Sequence, residues 1–198
     1  MGSTTPHLEI EFVTHACILL KAGEIRVLCD PWLSGSAFHD GWDLLVEPKR
    51  DIQELAPTHI WVSHEHPDHF SPRDLLAIPA DLRSDITVLY QTTADGKVEG
   101  FLRAKGFQVH VLPLGERVEL AEGVSVVCDT MGADSWLLFA AGGQTVMNLN
   151  DCITGQDILI DDPDRLPTEW AEKIKAHTDT IDVLLTQFSY SNWVGNPR

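Results

Sequence analysis

The octapeptide Ser63–Phe70 reads S-H-E-H-P-D-H-F, with three histidines and an aspartate inside six residues, directly after the apolar run Ile60-Trp61-Val62. That run is too short for a useful helix and suits a buried strand. Continued in extended form to His66, the strand would point His64 and His66 to the same side. Pro67 would end it and leave Asp68 and His69 on a turn, free to face the same space. Ser71-Pro72-Arg73-Asp74 then opens a helix: Ser71 is a good N-cap, Pro72 fits the first helical position, and Asp74 makes a capping-box-like pair. The expectation is therefore strand, four-ligand loop, helix. Imidazole nitrogens and carboxylate oxygens held this close suit zinc, iron or manganese.

The rest of the composition narrows the partners. A chain of 198 residues fits one domain, residues 1–198, with enough apolar content to bury a core. Its formal charge of −16 argues against nucleic acid, which needs clustered Lys and Arg, and against anionic lipid headgroups. No apolar run approaches a membrane span. Cys17, Cys29, Cys128 and Cys152 lie scattered in strand-like runs with no C-x-x-C pair. They read as reduced, buried thiols in a cytoplasmic protein.

Along the chain, Leu8–Val13 alternates apolar residues with Glu, as a half-buried strand does. Ala16–Lys21 and Ile25–Cys29 complete an antiparallel meander, whose last strand ends at Asp30-Pro31 and leaves the Asp30 carboxylate at its tip. His15, at the junction of the first two strands, either plays a structural part or lines the pocket. Leu33–Lys49 is a long loop without clear period. Its Phe38 and Trp42 either wall a substrate or, as the simpler reading has it, pin the loop to the body. A strand at Ile86–Tyr90, an amphipathic helix at Ala94–Lys105 closed by Gly106, and a strand at Gln108–Leu112 follow. From Arg117 the chain returns to short strands with glycine turns, ending at Asn148-Leu149-Asn150-Asp151, where Asp151 emerges at a strand tip. His59 and His110 read as structural and outward-facing.

The motif His64-x-His66-x-Asp68-His69 resembles the signature of the metallo-β-lactamase superfamily, an αββα sandwich. Thr14-His15-Ala16, Cys29-Asp30-Pro31-Trp32, Asp134-Ser135-Trp136 and Asn148–Cys152 are similar to the branch that holds ascorbate-phosphate lactonases, N-acylphosphatidylethanolamine phospholipase D and the lactamase-like part of CMP-sialic acid hydroxylase. The resemblance implies that His64 and His66 bind a first metal, that Asp68 and His69 bind a second, and that Asp151 bridges. It also implies a metal-bound hydroxide as nucleophile, oriented or deprotonated by Asp68.

Two expected histidines are absent, one just before Asp134-Ser135 and one after Val183–Leu185, where Thr186-Gln187-Phe188 stands. Three arrangements remain open. One ion sits among His64, His66, Asp68, His69 and Asp151; or Asp129, Gln187 or His15 substitutes, an added carboxylate favouring iron over zinc; or the site is degenerate. The aromatic ending Phe188–Trp193 implies a longer natural chain or a partner over that end. No C-x-H…C-x-x-H pattern for a Rieske centre is present. The expectation is a cofactor of one or two divalent ions, zinc or iron. The activity expected is hydrolysis of a small ester, lactone or phosphoester. The alternatives are an iron-dependent hydroxylase, or its catalytic part, and a non-catalytic partner domain.

Overall fold

The computed structural model describes residues 6–131, 134–152 and 165–186. Strands β1 (Leu8–Thr14), β2 (Cys17–Ala22), β3 (Ile25–Cys29), β4 (His59–Val62), β5 (Thr87–Gln91) and β6 (Gln108–Leu112) form one sheet in sequence order. Its first three strands are an antiparallel meander, and β3 to β6 run parallel. The second sheet contains β7 (Glu116–Ala121), β8 (Val124–Met131), β9 (Asp134–Ala141), β10 (Gln144–Asn150) and β11 (Val183–Thr186). Its spatial order is β11-β10-β9-β8-β7, and only the β10–β11 pair is parallel.

Three apolar layers explain why these elements stack as they do. Between the sheets, Leu20, Val27, Trp61 and Leu89 meet Val126, Leu137, Phe139 and Val146. Outside the first sheet, Leu28, Ile60 and Val88 pack on Leu55 of α1 (Ile52–Leu55), Leu75 of α2 (Pro72–Ala77) and Leu102 of α3 (Lys97–Ala104). Outside the second, Val127, Trp136 and Met147 pack on Ile174 of α4 (Arg165–Lys175). Strands buried on both faces need near-continuous apolar sequence, which is what β4 and β5 carry. The result is the expected helix–sheet–sheet–helix sandwich.

Three local differences matter. Strand β4 stops at Val62, four residues before His66. The chain then turns tightly, with the His69 and Phe70 amides donating to the His66 carbonyl at 3.0 and 2.7 Å. Helix α1 was not anticipated, although Asp51 and Glu54 form a full capping box at its start. The expected burial of the apolar face of β1 is incomplete. Phe12 pairs with Ile18 on the face that looks toward the second sheet, yet Phe12 is 71% exposed. Among the described residues the facing sheet ends at β11, and none of them covers that corner.

Candidate metal centre

One end of the sandwich collects a set of polar loops and strand tips. The loop after β4 carries Ser63 to His69, the β1–β2 turn carries His15, and the end of β3 carries Asp30. From the other sheet, the start of β9 carries Asp134 and the end of β10 carries Asn150 and Asp151. Three of these corners, His15, Asp30 and Asn150, hold positive φ values of 43°, 44° and 49°. Non-glycine residues pay for that conformation, and such strain concentrates at functional sites.

Ser63 and Asp30 form the frame. Asp30 is fully buried and accepts the Ser63 amide at 2.7 Å and the Ser63 hydroxyl at 2.8 Å. Its Oδ2 also lies 3.2 Å from His69 Nδ1. The Ser63 carbonyl accepts from Gln91 Nε2 at 2.6 Å and from Ser135 Oγ. Asn150 Nδ2 donates to Ser63 Oγ, and His64 Nδ1 lies 3.0 Å from the same oxygen. With the Ser63 proton on Asp30, His64 Nδ1–H donates to Ser63 Oγ and His69 Nδ1–H donates to Asp30. Both Nε2 atoms then face the centre, the arrangement by which outer carboxylates orient metal-binding imidazoles. On His69 the neighbouring carboxylates favour a second proton there, which a bound cation would displace.

His69 Nε2 stands 3.3 Å from both Asp68 Oδ2 and Asp151 Oδ2. Burial works against a charge on His69, but hydrogen bonds to Asp151, Asp30 and Asp68 outweigh it and hold its pKa at about 12. Asp68 is buried and Asp151 half-buried, which opposes their ionisation. Bonds to His15 and His69 for Asp68, and to His69 for Asp151, bring both carboxyls below the usual range. His15 Nε2 approaches Asp68 Oδ2 at 3.2 Å. On the other side His64 Nε2 lies 2.8 Å from His66 Nδ1 and 3.6 Å from Asp134 Oδ1.

Two atoms test whether this cluster fits a metal. Asp68 Oδ1 and His69 Nε2 are buried without a hydrogen-bond partner. Buried polar atoms are rarely left so, and a bound cation would satisfy both. Donor atoms of His15, Asp68 and His69, and again of His64, His69 and Asp151, lie within 4.8 Å of one another. One imidazole nitrogen takes one ion. His69 is common to both groups, and His66 Nδ1 and Asp134 Oδ1 lie beside His64 at the edge of the second. Imidazole and carboxylate in this mixture suit zinc or iron.

The candidates from sequence therefore separate. His64, His66, Asp68, His69, Asp151 and His15 are brought together, with His66 at the exposed rim. Asp30 is not a substitute ligand, because both its oxygens are engaged behind Ser63 and His69. Asp129 is not part of the centre either. It alternates with inward-facing Cys128, so it points to the outer face of β8, where Lys173 Nζ lies 3.3 Å away. Gln187 lies outside the described residues. Asp134 was not anticipated beside His64. Its signal was position: it directly follows the gap where a histidine was expected. Ser63 was missed as the frame, because a serine beside histidines carries no ligand signal of its own.

The aromatic loop joins the site rather than only pinning the chain. Ala37 and Trp42 exchange backbone hydrogen bonds, and Phe38, His39 and Asp40 between them have φ of 51°, 55° and 65°. This left-handed turn sets Trp42 edge-on to His15 at 6.3 Å and Phe38 edge-on to His66 at 6.1 Å between ring centres.

A four-layered sandwich with a histidine–carboxylate centre at its strand ends defines a class of metal-dependent enzymes. Residues 9–166 match the family described as the β-lactamase superfamily domain, and the chain belongs to that family. It is 33% identical over 159 residues to the cytidine monophosphate-N-acetylneuraminic acid hydroxylase of Danio rerio, which covers 73% of this chain and 26% of that protein. The chain thus spans about a quarter of the length of that relative. Its fold is similar to CmlA, a diiron β-hydroxylase from Streptomyces venezuelae (TM-score 0.64, 20% identity, 91% of this chain and 34% of that one). It is also similar to isothiocyanate hydrolase from Delia radicum gut bacteria (TM-score 0.52, 19% identity, 70% and 60%). Among the described residues no helix is long and apolar enough to cross a membrane.

Proposed function

We propose that this chain is the metal-binding catalytic part of an iron-dependent hydroxylase. The observation that carries the reading is Asp134, whose carboxylate lies 3.6 Å from His64 Nε2 where the hydrolase pattern would bring a histidine. Together with Asp68 and Asp151 it makes the donor set rich in hard oxygen, which favours iron over zinc. The name of the relative from Danio rerio supports the same reading. Iron held here supplies dioxygen chemistry. The chain's own part is positioning. Asp30 and Ser63 fix the two imidazoles, Asp68 Oδ1 offers a buried proton acceptor, and Phe38 and Trp42 shield the approach from water. Reducing equivalents would have to be supplied from outside the given sequence, which carries no Rieske pattern.

A second reading, hydrolysis of a small ester, lactone or phosphoester, is favoured by the free, buried Asp68 Oδ1, which is placed to orient an attacking water. One experiment separates the two. Iron-loaded protein with a chemical reductant should consume oxygen in a substrate-dependent way, and zinc-loaded protein should leave ester and phosphoester probes intact. Hydrolysis by the zinc form without oxygen uptake by the iron form would reverse the order.

A further inference from the structure

A cavity of about 590 Å³ adjoins the centre and is not needed to explain the metal donors. It lies at the corner where the second sheet ends short of β1. Phe12 and Ile18 of the first sheet form one wall, and Leu185 of β11 forms another. Asn148 lines it between the sheets, while His15 and Asp151 belong to both the cavity and the centre. The space is therefore continuous with the place where a reacting group would sit. Its volume falls in the range of small-molecule sites. It also accounts for Phe12, a large apolar side chain left 71% exposed on a face that elsewhere is core.

Charge restricts the occupant as much as shape does. No Lys or Arg side chain lines this cavity among the described residues. Asp151, a carboxylate of the centre, lines one end. Lys21 and Arg50, the cations close to β1, are paired with Glu11. An anionic molecule such as a nucleotide sugar would enter with no counter-charge from these walls. An uncharged molecule with an aliphatic or aromatic arm would instead replace water along Phe12, Ile18 and Leu185.

We infer that the centre takes an uncharged substrate whose apolar arm lies in this cavity between Phe12, Ile18 and Leu185. This rests on the reading of the cluster as a metal centre. The test therefore uses probes that share one metal-binding head and differ in the arm. Zinc-loaded full-length chain would be titrated calorimetrically with acetohydroxamic acid, with hexanohydroxamic acid, and with a hydroxamic acid of equal arm length ending in a carboxylate. The six-carbon probe should bind about 10- to 100-fold more tightly than the two-carbon one, as burial of several methylenes requires. The carboxylate-ended probe should lose most of that gain, and Phe12→Ser should reduce it. Equal affinity for short and long neutral probes would overturn the cavity assignment while leaving the metal centre intact. A carboxylate-ended probe binding as tightly as the neutral one would overturn the restriction to uncharged substrates. Failure of all three to bind would overturn the metal centre itself, and this inference with it.

Discussion

At the residue scale, the centre depends on side chains that would never touch an ion. Ser63 joins Asp30, His64 and Asn150 through one hydroxyl, so its loss frees His64 to rotate and takes away the acceptor of Asn150 Nδ2, leaving Asp30 Oδ2 to His69 alone. Ser63→Ala should therefore weaken metal binding about 10- to 100-fold, the usual effect of removing an outer-shell partner. Competition with a chelating dye would measure this, and far-UV circular dichroism should stay unchanged. His110→Ala, on the exposed side of β6, should alter neither. A separate histidine governs a pH effect. Burial in β4, helped by His110, lowers the pKa of His59 from its ordinary value. The fold thus favours the neutral ring. That contribution is complete above the unfolded value of about 6.5 and is lost as pH falls through the lowered folded value. Thermal unfolding between pH 7 and 5 should show a steeper fall in Tm for the wild type than for His59→Gln. Equal slopes would contradict this assignment.

At the scale of elements, α2 does more than follow the metal loop. Ser71 caps it, and the Asp74 amide reaches back to Ser71 Oγ at 3.3 Å. Asp74 does not return to the N-cap backbone as a capping box would. Its carboxylate accepts instead from Ser71 Oγ, from the Leu33 amide at 2.8 Å and from Ser34. The helix start is thus tied to the root of the loop that presents Phe38 and Trp42. Asp74→Ala removes an ionised acceptor and leaves buried donors behind, which should cost about 2–4 kcal/mol of stability in denaturant unfolding. Gly35, at φ 69°, lets Arg73 pass across this root, since a Cβ there would meet its guanidinium at 1.7 Å. Much of this architecture was legible in sequence, because apolar period and turn chemistry act locally. The strands from β2 to β6, the Ser71 cap and the glycine after α3 follow from such signals. The end of β4 did not, because the tight turn at His66–Phe70 is closed by backbone bonds that no residue type announces.

At the scale of the whole molecule, the two sheets supply the two halves of the centre, and only their meeting brings Asp134 and Asp151 to the histidines of the loop. His64, His66, Asp68 and His69 were legible because they share one loop. Asp151 and His15 were legible as strand-end residues. Asp134 and Asp129 could not be ranked from sequence, since both are carboxylates near the same gap. Strand alternation turns Asp129 toward Lys173, while Asp134, the first residue of β9, comes within 3.6 Å of His64 Nε2. On the proposed reading a carboxylate stands for a histidine in the centre, and the choice of metal would follow from that exchange. Asp134→His tests it most directly. Wild type and variant would be produced side by side in medium containing iron and zinc, and the metals retained per chain would be measured by elemental analysis. The wild type should retain a higher iron-to-zinc ratio, and the variant should shift toward zinc. The same ratio in both proteins would contradict the account.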